Sequence, residues 1–453
     1  MKKGDTVTGK NGRTYSVIEV VGKGGQAKIW KVRDESSKKF YACKYYRHDP
    51  KNVRGNIEDL IKIGAIKDRD GNDLNSVVMP ITIVDDAGDS FGYVMELVDL
   101  KDYVTLKKAW SKNGSYPTPF AICNIVKNFA YFFERLHLGH GLCHKDVNEG
   151  NIFFNPKSGD IKIIDNDNIG TASKQTIKGT PHYMAPEVIL GKAPDATSDR
   201  FSFAVFMFRL LVGGYPFEGA YTEDYCLKHD VLLNDASEEL LGRNPVFVWH
   251  PTDKRNAVTK FADPQHKAQA ALWLHLPQVV KDLFIKTFVT NLPAARAAER
   301  ATDVAWRQTF ETLEKNLVAC PFCKARTFAE ADTCFECDKP LPKRKPAPQK
   351  VHGVKFTALS DGEDKKQISL RVGEKIFGDK VSKNLSSEIL LQILYNERTN
   401  KIGARNLSRS AWTVAKADGK KFACEPGKII ALEVGMRISI IPRVAQLNVN
   451  ALA

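Results

Sequence analysis

Apolar and polar residues alternate at the start of the chain in the manner of β-strands. The alternation runs through residues 15–21, gives way to a glycine-rich stretch at 22–29, and resumes at 30–32. Residues 41–44 and 93–98 show the same strand-like pattern further along. The pattern therefore predicts a set of strands whose first hairpin carries glycines at its tip.

Two longer stretches follow a helical period instead. The first covers residues 52–66, and the second covers 120–138 and ends near Gly139 and Gly141. The apolar positions of the second stretch are Phe120, Ile122, Ile125, Val126, Phe129, Phe133 and Leu136. Another apolar run, residues 201–214, is shorter than a bilayer span and contains Arg209, so it predicts a buried helix rather than a membrane segment.

Beyond residue 350 the pattern is strand-like throughout. Short apolar segments are separated by glycine and asparagine turns; they are residues 367–372, 389–395, 412–415, 421–424 and 436–441. They predict an all-β sandwich of about a hundred residues. Residues 340–350 before it are rich in proline and lysine and predict an extended linker.

The length and charge of the chain limit the possible classes of protein. A chain of 453 residues is too long for one core, so two or three domains are expected. The formal net charge of +14 would suit an acidic partner, but lysine and arginine are spread along the sequence, which favours a solvated basic surface over nucleic-acid binding. The N-terminus lacks an apolar signal segment. We therefore expect a cytoplasmic protein with no membrane segment.

The cysteine spacing predicts a metal site. Four of the nine cysteines form a C-x2-C-x10-C-x2-C pattern: Cys320, Cys323, Cys334 and Cys337. Two such pairs can place four thiolates around one Zn²⁺, and because four cysteines leave no open position, the ion would be structural. Residues 316–339 are too few to bury a core, so metal binding would supply the folding free energy of this ribbon. A redox-active C-x-x-C pair would need a surrounding βαβ unit and is the weaker alternative. A nucleic-acid-binding ribbon stays open.

Three motifs in the middle of the chain indicate phosphoryl transfer. Residues 144–151 read H-K-D-V-N-E-G-N, residues 165–167 read D-N-D, and residues 179–187 read G-T-P-H-Y-M-A-P-E. Their order and spacing match the H-x-D-x-x-x-x-N, D-x-x and A-P-E motifs. Over roughly its first two-thirds, the chain resembles the bacterial relatives of eukaryotic-type (Hanks-type) Ser/Thr protein kinases. The resemblance implies an α+β two-lobed protein kinase fold, with an N-lobe at about 1–97 and a C-lobe at about 98–315.

The resemblance assigns the nucleotide site to the N-lobe. Gly22 and Gly24 would let the hairpin backbone fold over the phosphates of ATP, and Ala27 stands where the third glycine of the motif would be. Met95 would line the adenine pocket, and the backbone from Glu96 to Val98 would bond the adenine edge.

Two ion pairs are implied as well. Lys44, at the end of the Y-A-C-K strand, would hold the α- and β-phosphates, and Glu58 would pair with its ammonium group, with Asp59 as the adjacent alternative. Glu187 would form a buried structural pair with Arg296.

The catalytic residues follow from the same resemblance. Asp146 would accept the proton of a substrate hydroxyl, while Asp165 and Asn151 would be the principal and second ligands of Mg²⁺ or Mn²⁺. Asp199 would hold the backbone of the catalytic loop.

Three positions of the catalytic motifs depart from the family pattern. Asn148 replaces a lysine that contacts the γ-phosphate, so a cation that neutralises transferred charge is missing and turnover is expected to be low unless another cation substitutes. Asn166 replaces the phenylalanine of D-F-G, which puts regulation by flipping of that segment in doubt. Asp167 replaces the glycine, where aspartate could tolerate a positive φ better than most residues.

Thr176 occupies the usual position of the activating phosphosite. A phosphate there could pair with Lys145 and order the segment. Thr171, Ser173 and Thr180 are the competing sites.

The C-terminal strands resemble a divergent forkhead-associated (FHA) domain. The resemblance rests on residues 406–408 before Trp412, on a turn at Gly419, and on residues 435–438. Asp379 stands where the phosphate-binding arginine is expected, so partner binding that does not depend on phosphorylation is predicted. A basic pocket rebuilt from other loops stays open, and its candidates are Lys383, Arg405 and Arg409.

The sequence thus predicts a kinase domain at 1–315, a zinc ribbon at 316–339, a linker at 340–350 and an FHA-like β-sandwich at 351–453. We expect an ATP-dependent Ser/Thr protein kinase that phosphorylates protein substrates and itself. The architecture suggests kinases encoded beside a protein phosphatase 2C-type phosphatase and a von Willebrand factor A protein, which are therefore candidate partners. A scaffold pseudokinase and a small-molecule kinase are the alternatives; the retained Lys44 and acidic residues argue against the first, and the A-P-E segment argues against the second.

Overall fold

The chain forms two compact units, Met1–Lys343 and Arg344–Ala453. The computed structural model describes residues 1–24, 27–48, 53–85, 90–172, 179–261, 263–342, 353–360, 365–383, 385, 388–396, 401–441 and 445–452. Within these residues, no helix has both the length and the apolar character that a membrane crossing needs.

The first unit begins with a six-stranded antiparallel sheet of order β1-β2-β3-β4-β6-β5. Its strands are β1 Thr6–Thr8, β2 Thr14–Lys23, β3 Ala27–Asp34, β4 Phe40–Tyr46, β5 Pro80–Asp85 and β6 Phe91–Glu96. Because side chains alternate across a strand, Ala42 and Tyr46 of β4 face one core while Cys43 faces another. Lys44 shares the face of Ala42 and Tyr46.

Helix α1, Val53–Ile63, packs against this sheet beside β5. Its buried residues are Val53, Asn56, Ile57 and Leu60. The spacing i, i+3, i+4, i+7 is that of one helical face, so Asn56 is the polar member of an otherwise apolar stripe.

A mostly helical lobe follows the sheet. Its helices are α2 Leu106–Ala109, α3 Pro119–Glu134, α4 Pro186–Ile189, α5 Ala196–Val212, α6 Ala220–His229, α7 Pro264–His275, α8 Gln278–Ile285 and α9 Asp303–Lys315. Shorter 3₁₀ or π turns cover Arg135–Gly139, Pro181–Tyr183, Glu238–Arg243, Val258–Lys260, Lys286–Thr290 and Ala294–Glu299. A three-stranded sheet of β7 Val104–Thr105, β8 Ile152–Phe154 and β9 Ile161–Ile163 flanks the catalytic-loop sequence.

Helix α5 lies at the centre of this lobe, buried along most of its length. The Asp195 side chain caps its N-terminus by accepting hydrogen bonds from the amides of Thr197 and Ser198. Gly213 ends the helix with φ of +89°, and a Cβ there would also lie 3.3 Å from the Trp110 ring. The predicted apolar run at 201–214 is therefore a buried helix.

The four-cysteine segment belongs to the same compact unit. Strands β10 Leu317–Ala319 and β11 Arg326–Phe328 form a hairpin directly after α9. Its apolar residues Phe328 and Ala331 are buried in the core of the helical lobe, and the Phe335 ring stacks on Tyr116 at 5.8 Å. The segment is too small to form its own core, and its apolar side chains are buried in the core of the helical lobe instead.

The second unit consists of two antiparallel sheets. The first has the order β13-β12-β21-β20-β17-β18 and the second β14-β15-β16-β19. The elements are β12 Gly353–Ser360, β13 Lys366–Arg371, β14 Lys375–Phe377, α10 Gly378–Val381, β15 Ile389–Asn396, β16 Lys401–Asn406, β17 Trp412–Ala415, β18 Lys421–Cys424, β19 Ile429–Ala431, β20 Arg437–Ile441 and β21 Ala445–Leu452. Residues of both sheets share one apolar core, including Phe356 and Leu447 from the first and Leu391 and Ala404 from the second.

The buried partner of Glu187 is Arg300, and the predicted pairing with Arg296 is wrong. The guanidinium nitrogens Nη1 and Nη2 of Arg300 lie 2.7 and 2.8 Å from the two carboxylate oxygens. Arg300 also donates to the carbonyls of Asn291, Leu292 and Thr197. The 3₁₀ turn Ala294–Glu299 leaves Arg296 exposed, so the arginine four residues later is the one that enters the core.

We expect Arg300→Ala to lower the free energy of unfolding by about 3–5 kcal/mol, because it leaves the Glu187 carboxylate buried without its cation. Arg296→Ala is the matched control and should change stability by less than about 0.5 kcal/mol. Urea denaturation followed by intrinsic fluorescence measures both. Equal effects of the two variants would contradict the assignment.

Candidate active site

The glycine-rich hairpin connects β2 and β3. Gly22 pairs with Ile29 across the two strands, and the Gly24 amide donates to the Ala27 carbonyl at 2.9 Å. Among the described residues, a Cβ at Gly24 would meet only the Ala27 carbonyl oxygen, at 3.6 Å. Residues 25 and 26 at the tip lie outside the described part of the chain.

Lys44 lies on β4 between two carboxylates. Its Nζ is 2.7 Å from Asp167 Oδ2 and also contacts Asp165 Oδ1. The side chain of Lys44 is 12% exposed, that of Asp167 3%, and that of Asp165 39%. Burial alone would lower the pKa of Lys44, but the surrounding phenols and carboxylates raise it, so the side chain is cationic.

Glu58 does not supply the carboxylate at Lys44. It lies 2.8 Å from Lys10 and 3.6 Å from Arg54 on the outer side of α1, and the alternative Asp59 lies 3.2 Å from Lys62. A helix turns about 100° per residue, so Glu58 faces away from the buried stripe that contains Asn56. The apolar stripe of α1 was readable in the sequence and would have identified position 56 as the inward one.

Asn56 connects helix α1 to the D-N-D segment. Its Nδ2 donates to the carbonyls of Asp167 and Ile169, at 2.5 and 2.9 Å. Asn166 is fixed from the other side, since its Nδ2 donates to the carbonyls of Val78 and Ile163 and its Oδ1 lies 3.1 Å from His144 Nε2. The amide of Asn166 is 2% exposed and fully hydrogen-bonded, where the family pattern has an apolar ring.

The positive backbone angle of this segment falls at Asp165, with φ of +60°, and not at Asp167, which stands in the glycine position of the motif. The burial of Asp165 raises its pKa to about 6, and the neighbouring Asp167 charge adds to the increase, while Lys44 opposes it. Burial alone would raise the pKa of Asp167 too, but its contacts with Lys44 and Tyr46 lower it. The two carboxylates are therefore held in different environments.

The catalytic loop is fixed by Asp199 of α5. The Asp199 carboxylate accepts hydrogen bonds from the backbone amides of His144 at 2.6 Å and Lys145 at 2.9 Å. Lys145 has φ of +68°, a conformation that costs free energy and that these bonds hold in place. His137 lies between Asp199 and Asp303, at 3.1 and 2.9 Å.

Asp146 lies in the loop with its carboxylate held by amides. Asn148 Nδ2 donates to its Oδ1 at 3.1 Å, and Asn168 Nδ2 lies 3.4 Å from its Oδ2. Burial raises the pKa of Asp146. Asn151 donates to the Asp146 carbonyl at 3.3 Å, and its own carbonyl accepts from the Ile164 amide at 2.9 Å. That last bond brings Asn151 next to Asp165.

The residues predicted to contact adenine lie at the end of β6 or just after it. Met95 is buried and pairs with Ala42 across β6 and β4, next to the pair of Tyr93 with Lys44. Glu96 ends β6 and is exposed, and Val98 packs partly against the core.

The activation segment is described only in part. Residues 173–178, which include Thr176 and Ser173, lie outside the described residues. Beyond them, Arg209 of α5 pairs with Glu149 of the catalytic loop, and its guanidinium lies 4.0 Å from the Tyr215 ring. This pair ties α5 to the catalytic loop.

The four cysteines predicted to bind a metal come together. Their sulfur atoms all lie within 4.8 Å of one another. Cys320 and Cys337 are 3.8 Å apart, and Cys323 and Cys334 are 3.7 Å apart. The two C-x-x-C turns are built alike: the amides of Phe322 and Glu336 each donate to the first cysteine sulfur of their turn at 3.4 Å.

A polar network closes one end of the C-terminal unit. The buried Asn406 amide donates to the carbonyls of Ser410 and Cys424, and Trp412 Nε1 donates to Ser408 Oγ at 3.0 Å. The predicted phosphate-pocket candidate Arg409 lies 3.3 Å from Glu388. Asp379 is exposed on α10.

The environment of His137 predicts a pH dependence of stability. Burial alone would lower its pKa, but the hydrogen bonds to Asp199 and Asp303 raise it to about 9. The unfolded value is about 6.5, so the stabilisation is complete below about pH 6.5 and is lost as the pH rises through about 9. We expect the stability difference between wild type and His137→Gln to shrink by about 2–3 kcal/mol between pH 6.5 and 9.5. Urea denaturation at a series of pH values measures this, with exposed His229→Gln as the control; a difference independent of pH would contradict the prediction.

Comparisons with known proteins agree with the motif order. A family profile described as a protein kinase domain matches residues 15–266. A probable serine/threonine-protein kinase of Clostridium perfringens is 28% identical over 224 residues, covering 48% of this chain and 31% of that protein. The serine/threonine-protein kinase PrkC of Bacillus subtilis is 26% identical over 270 residues, covering 57% of this chain and 39% of that protein. The probable serine/threonine-protein kinase PknB of Lactococcus lactis is 25% identical over 239 residues, covering 51% and 36%. The chain thus spans less than half the length of these relatives.

Proposed function

Because this chain belongs to the protein kinase family, we propose that it is an ATP-dependent Ser/Thr protein kinase that phosphorylates protein substrates and itself. One observation carries the proposal. A cation, Lys44, and two carboxylates, Asp165 and Asp167, meet in one cleft, and the catalytic loop with Asp146 and Asn151 lies beside them. These are the groups that phosphoryl transfer requires for positioning and charge stabilisation.

Asp146 would act on the substrate hydroxyl. A serine or threonine side chain in the cleft would donate its proton to the Asp146 carboxylate as its oxygen attacks the γ-phosphorus of ATP. The bond from that phosphorus to the β,γ-bridging oxygen would break, and ADP would leave. Burial raises the pKa of Asp146, which makes the carboxylate a stronger base. The hydrogen bond from Asn148 fixes the orientation of the carboxylate.

The donor set beside Asp146 suits a hard divalent cation. Asp165 offers a partly exposed carboxylate and Asn151 an amide oxygen, the ligand types that Mg²⁺ and Mn²⁺ prefer. A bound Mg²⁺ would neutralise charge on the transferred phosphate. Lys44 would hold the α- and β-phosphates from the sheet side, and the hairpin with Gly22, Gly24 and Ala27 would cover them. Met95 and the backbone from Glu96 to Val98 would receive the adenine.

A scaffold pseudokinase is the second candidate. Asn148 favours it, because an amide that bonds Asp146 cannot neutralise the charge on a γ-phosphate as a lysine would. The assay below separates the two functions.

Thr176 stays the proposed activating phosphosite, with Lys145 as the partner of its phosphate.

The cysteine cluster is proposed to bind one structural Zn²⁺. A tetrahedral site with Zn–S bonds of about 2.3 Å has sulfur atoms about 3.8 Å apart. The pairs at 3.7 and 3.8 Å fit this spacing. The amide donors of Phe322 and Glu336 would stabilise the thiolates Cys320 and Cys334.

The C-terminal unit is proposed to be an FHA-like sandwich that recruits protein partners. A protein phosphatase 2C-type phosphatase and a von Willebrand factor A protein are the candidate classes. Asp379 is exposed and Arg409 is near Glu388, so binding is proposed not to require phosphorylation of the partner.

We expect Asp146→Asn and Asp165→Asn each to reduce phosphoryl transfer by at least about 100-fold, since one removes the base and the other a metal ligand. Purified wild type and variants are incubated with labelled ATP, Mg²⁺ or Mn²⁺ and generic protein substrates. Nucleotide binding is measured in parallel by calorimetry. It should weaken in Asp165→Asn and persist in Asp146→Asn.

The exposed Asp102→Asn is the control for the change of acid to amide. Activity of Asp146→Asn or Asp165→Asn near that of wild type would refute the site. A wild type that binds the nucleotide and transfers nothing would establish the pseudokinase.

We expect one zinc per chain, and its loss in the double variant Cys320→Ser/Cys323→Ser. Loss of the metal should increase hydrogen exchange over residues 317–341 while ATP binding is retained. Cys226→Ser, outside the cluster, is the control. Elemental analysis that finds no zinc in freshly purified wild type would rule the site out.

A further inference from the structure

The environment of Asp167 differs from that of the other acidic group in the cleft. Its carboxylate is directed at the sheet, where Lys44 Nζ lies 2.7 Å away and the Tyr46 hydroxyl also contacts it. Only 3% of the side chain is exposed, whereas Asp165 is 39% exposed. Asp165 is therefore accessible to an arriving cation and phosphate, while Asp167 is enclosed by two donors from β4.

The backbone around Asp167 is held in a single position. Asn56 of α1 donates to the carbonyls of Asp167 and Ile169, and Asn166 is bonded to Val78, Ile163 and His144. These hydrogen bonds fix Asn166 before Asp167, and the backbone from Asp167 to Ile169 after it. The carboxylate that faces Lys44 therefore belongs to the D-N-D segment itself.

Helix α1 contributes a neutral group at the place where it approaches this segment. The inward residue is Asn56, while the acidic Glu58 pairs with Lys10 and Arg54 on the outer surface. A flexible lysine side chain needs an anion to fix its ammonium group for phosphate binding. Within the described residues, the buried anion at Lys44 comes from position 167.

We propose that Asp167 is the positioning residue for Lys44, and that it takes over from helix α1 the task of supplying the carboxylate. The proposal rests on the proposed kinase function. It implies that the Lys44 ion pair is complete whenever the D-N-D segment is in place, so an acidic side chain on α1 is not needed for activity.

The test compares two changes of acid to amide in the full chain. Asp167→Asn should reduce kcat/KM for ATP by at least about 30-fold, with most of the change in KM, because Lys44 loses the anion that holds it on the phosphates. Glu58→Gln should stay within about twofold of wild type. Asp167→Glu, which keeps the charge, should retain more activity than Asp167→Asn.

A binding measurement tests the proposal independently of turnover. The dissociation constant of ATP, measured by calorimetry, should rise in Asp167→Asn and stay near the wild-type value in Glu58→Gln. The proposal is therefore tested even if wild type binds ATP without transferring phosphate.

Several outcomes would overturn the proposal. One is an Asp167→Asn variant as active as Glu58→Gln. Another concerns the Mg²⁺ concentration that gives half-maximal activity. If Asp167→Asn raised this concentration as much as Asp165→Asn does, Asp167 would be a metal ligand. The Glu58 side chain is partly exposed, so Glu58→Gln should fold even where a change at 167 does not. A tenfold loss of activity in Glu58→Gln would return the pairing role to helix α1.

Discussion

The buried carboxylate of Asp199 fixes the part of the chain on which the chemistry depends. It reaches from the first turn of α5 to the amides of His144 and Lys145, just before Asp146. A left-handed residue such as Lys145 is disfavoured by itself, so the loop needs an external hydrogen-bond acceptor to keep its shape. Burial of a carboxylate is costly unless it is bonded, and the cation on His137 together with two amides meets that requirement. The catalytic loop is thus anchored to the best-buried helix of the lobe.

Hydrogen bonds also replace apolar packing in the D-N-D segment. Where the family pattern has a ring that can leave its pocket, this chain has Asn166 with three partners and 2% exposure. Moving that amide outward would remove the Asn166 donor from the Val78 carbonyl, while the Ile163 carbonyl would keep its bond from the Val78 amide. A buried unsatisfied group costs about 1–3 kcal/mol. A segment held in this way has one strongly preferred position. Inversion of the D-N-D segment would therefore have to break these hydrogen bonds.

The sequence was sufficient for the family and for the expectation that Lys44 and Asp165 lie beside the loop that carries Asp146, because the order of the motifs along the chain matches the family pattern whatever the details of packing. It was not sufficient for ion-pair partners. Arg296 and Arg300 are four residues apart with the same chemistry. Arg296 lies within the 3₁₀ turn Ala294–Glu299 and is exposed, while Arg300 follows the turn and is buried. The prediction that Glu58 pairs with Lys44 rests on the charge of Glu58, whereas the apolar period of α1 directs position 56 inward. A pairing rule taken from a family predicts the type of interaction, while the burial pattern of the individual helix predicts the residue.

In the cysteine segment, metal binding and apolar packing would both stabilise the same local structure. Its apolar residues Phe328, Ala331 and Phe335 lie against the helical lobe, so their burial depends on the shape that the two C-x-x-C turns impose. If four thiolates bind one ion, the free energy of metal binding fixes that shape, and the packing against Tyr116 then adds to it. Tyr116 in turn donates to the Leu210 carbonyl of α5, next to Arg209, which pairs with Glu149 of the catalytic loop. The cysteine segment is therefore linked by packing and hydrogen bonds to the same helix that anchors the catalytic loop, within one compact unit.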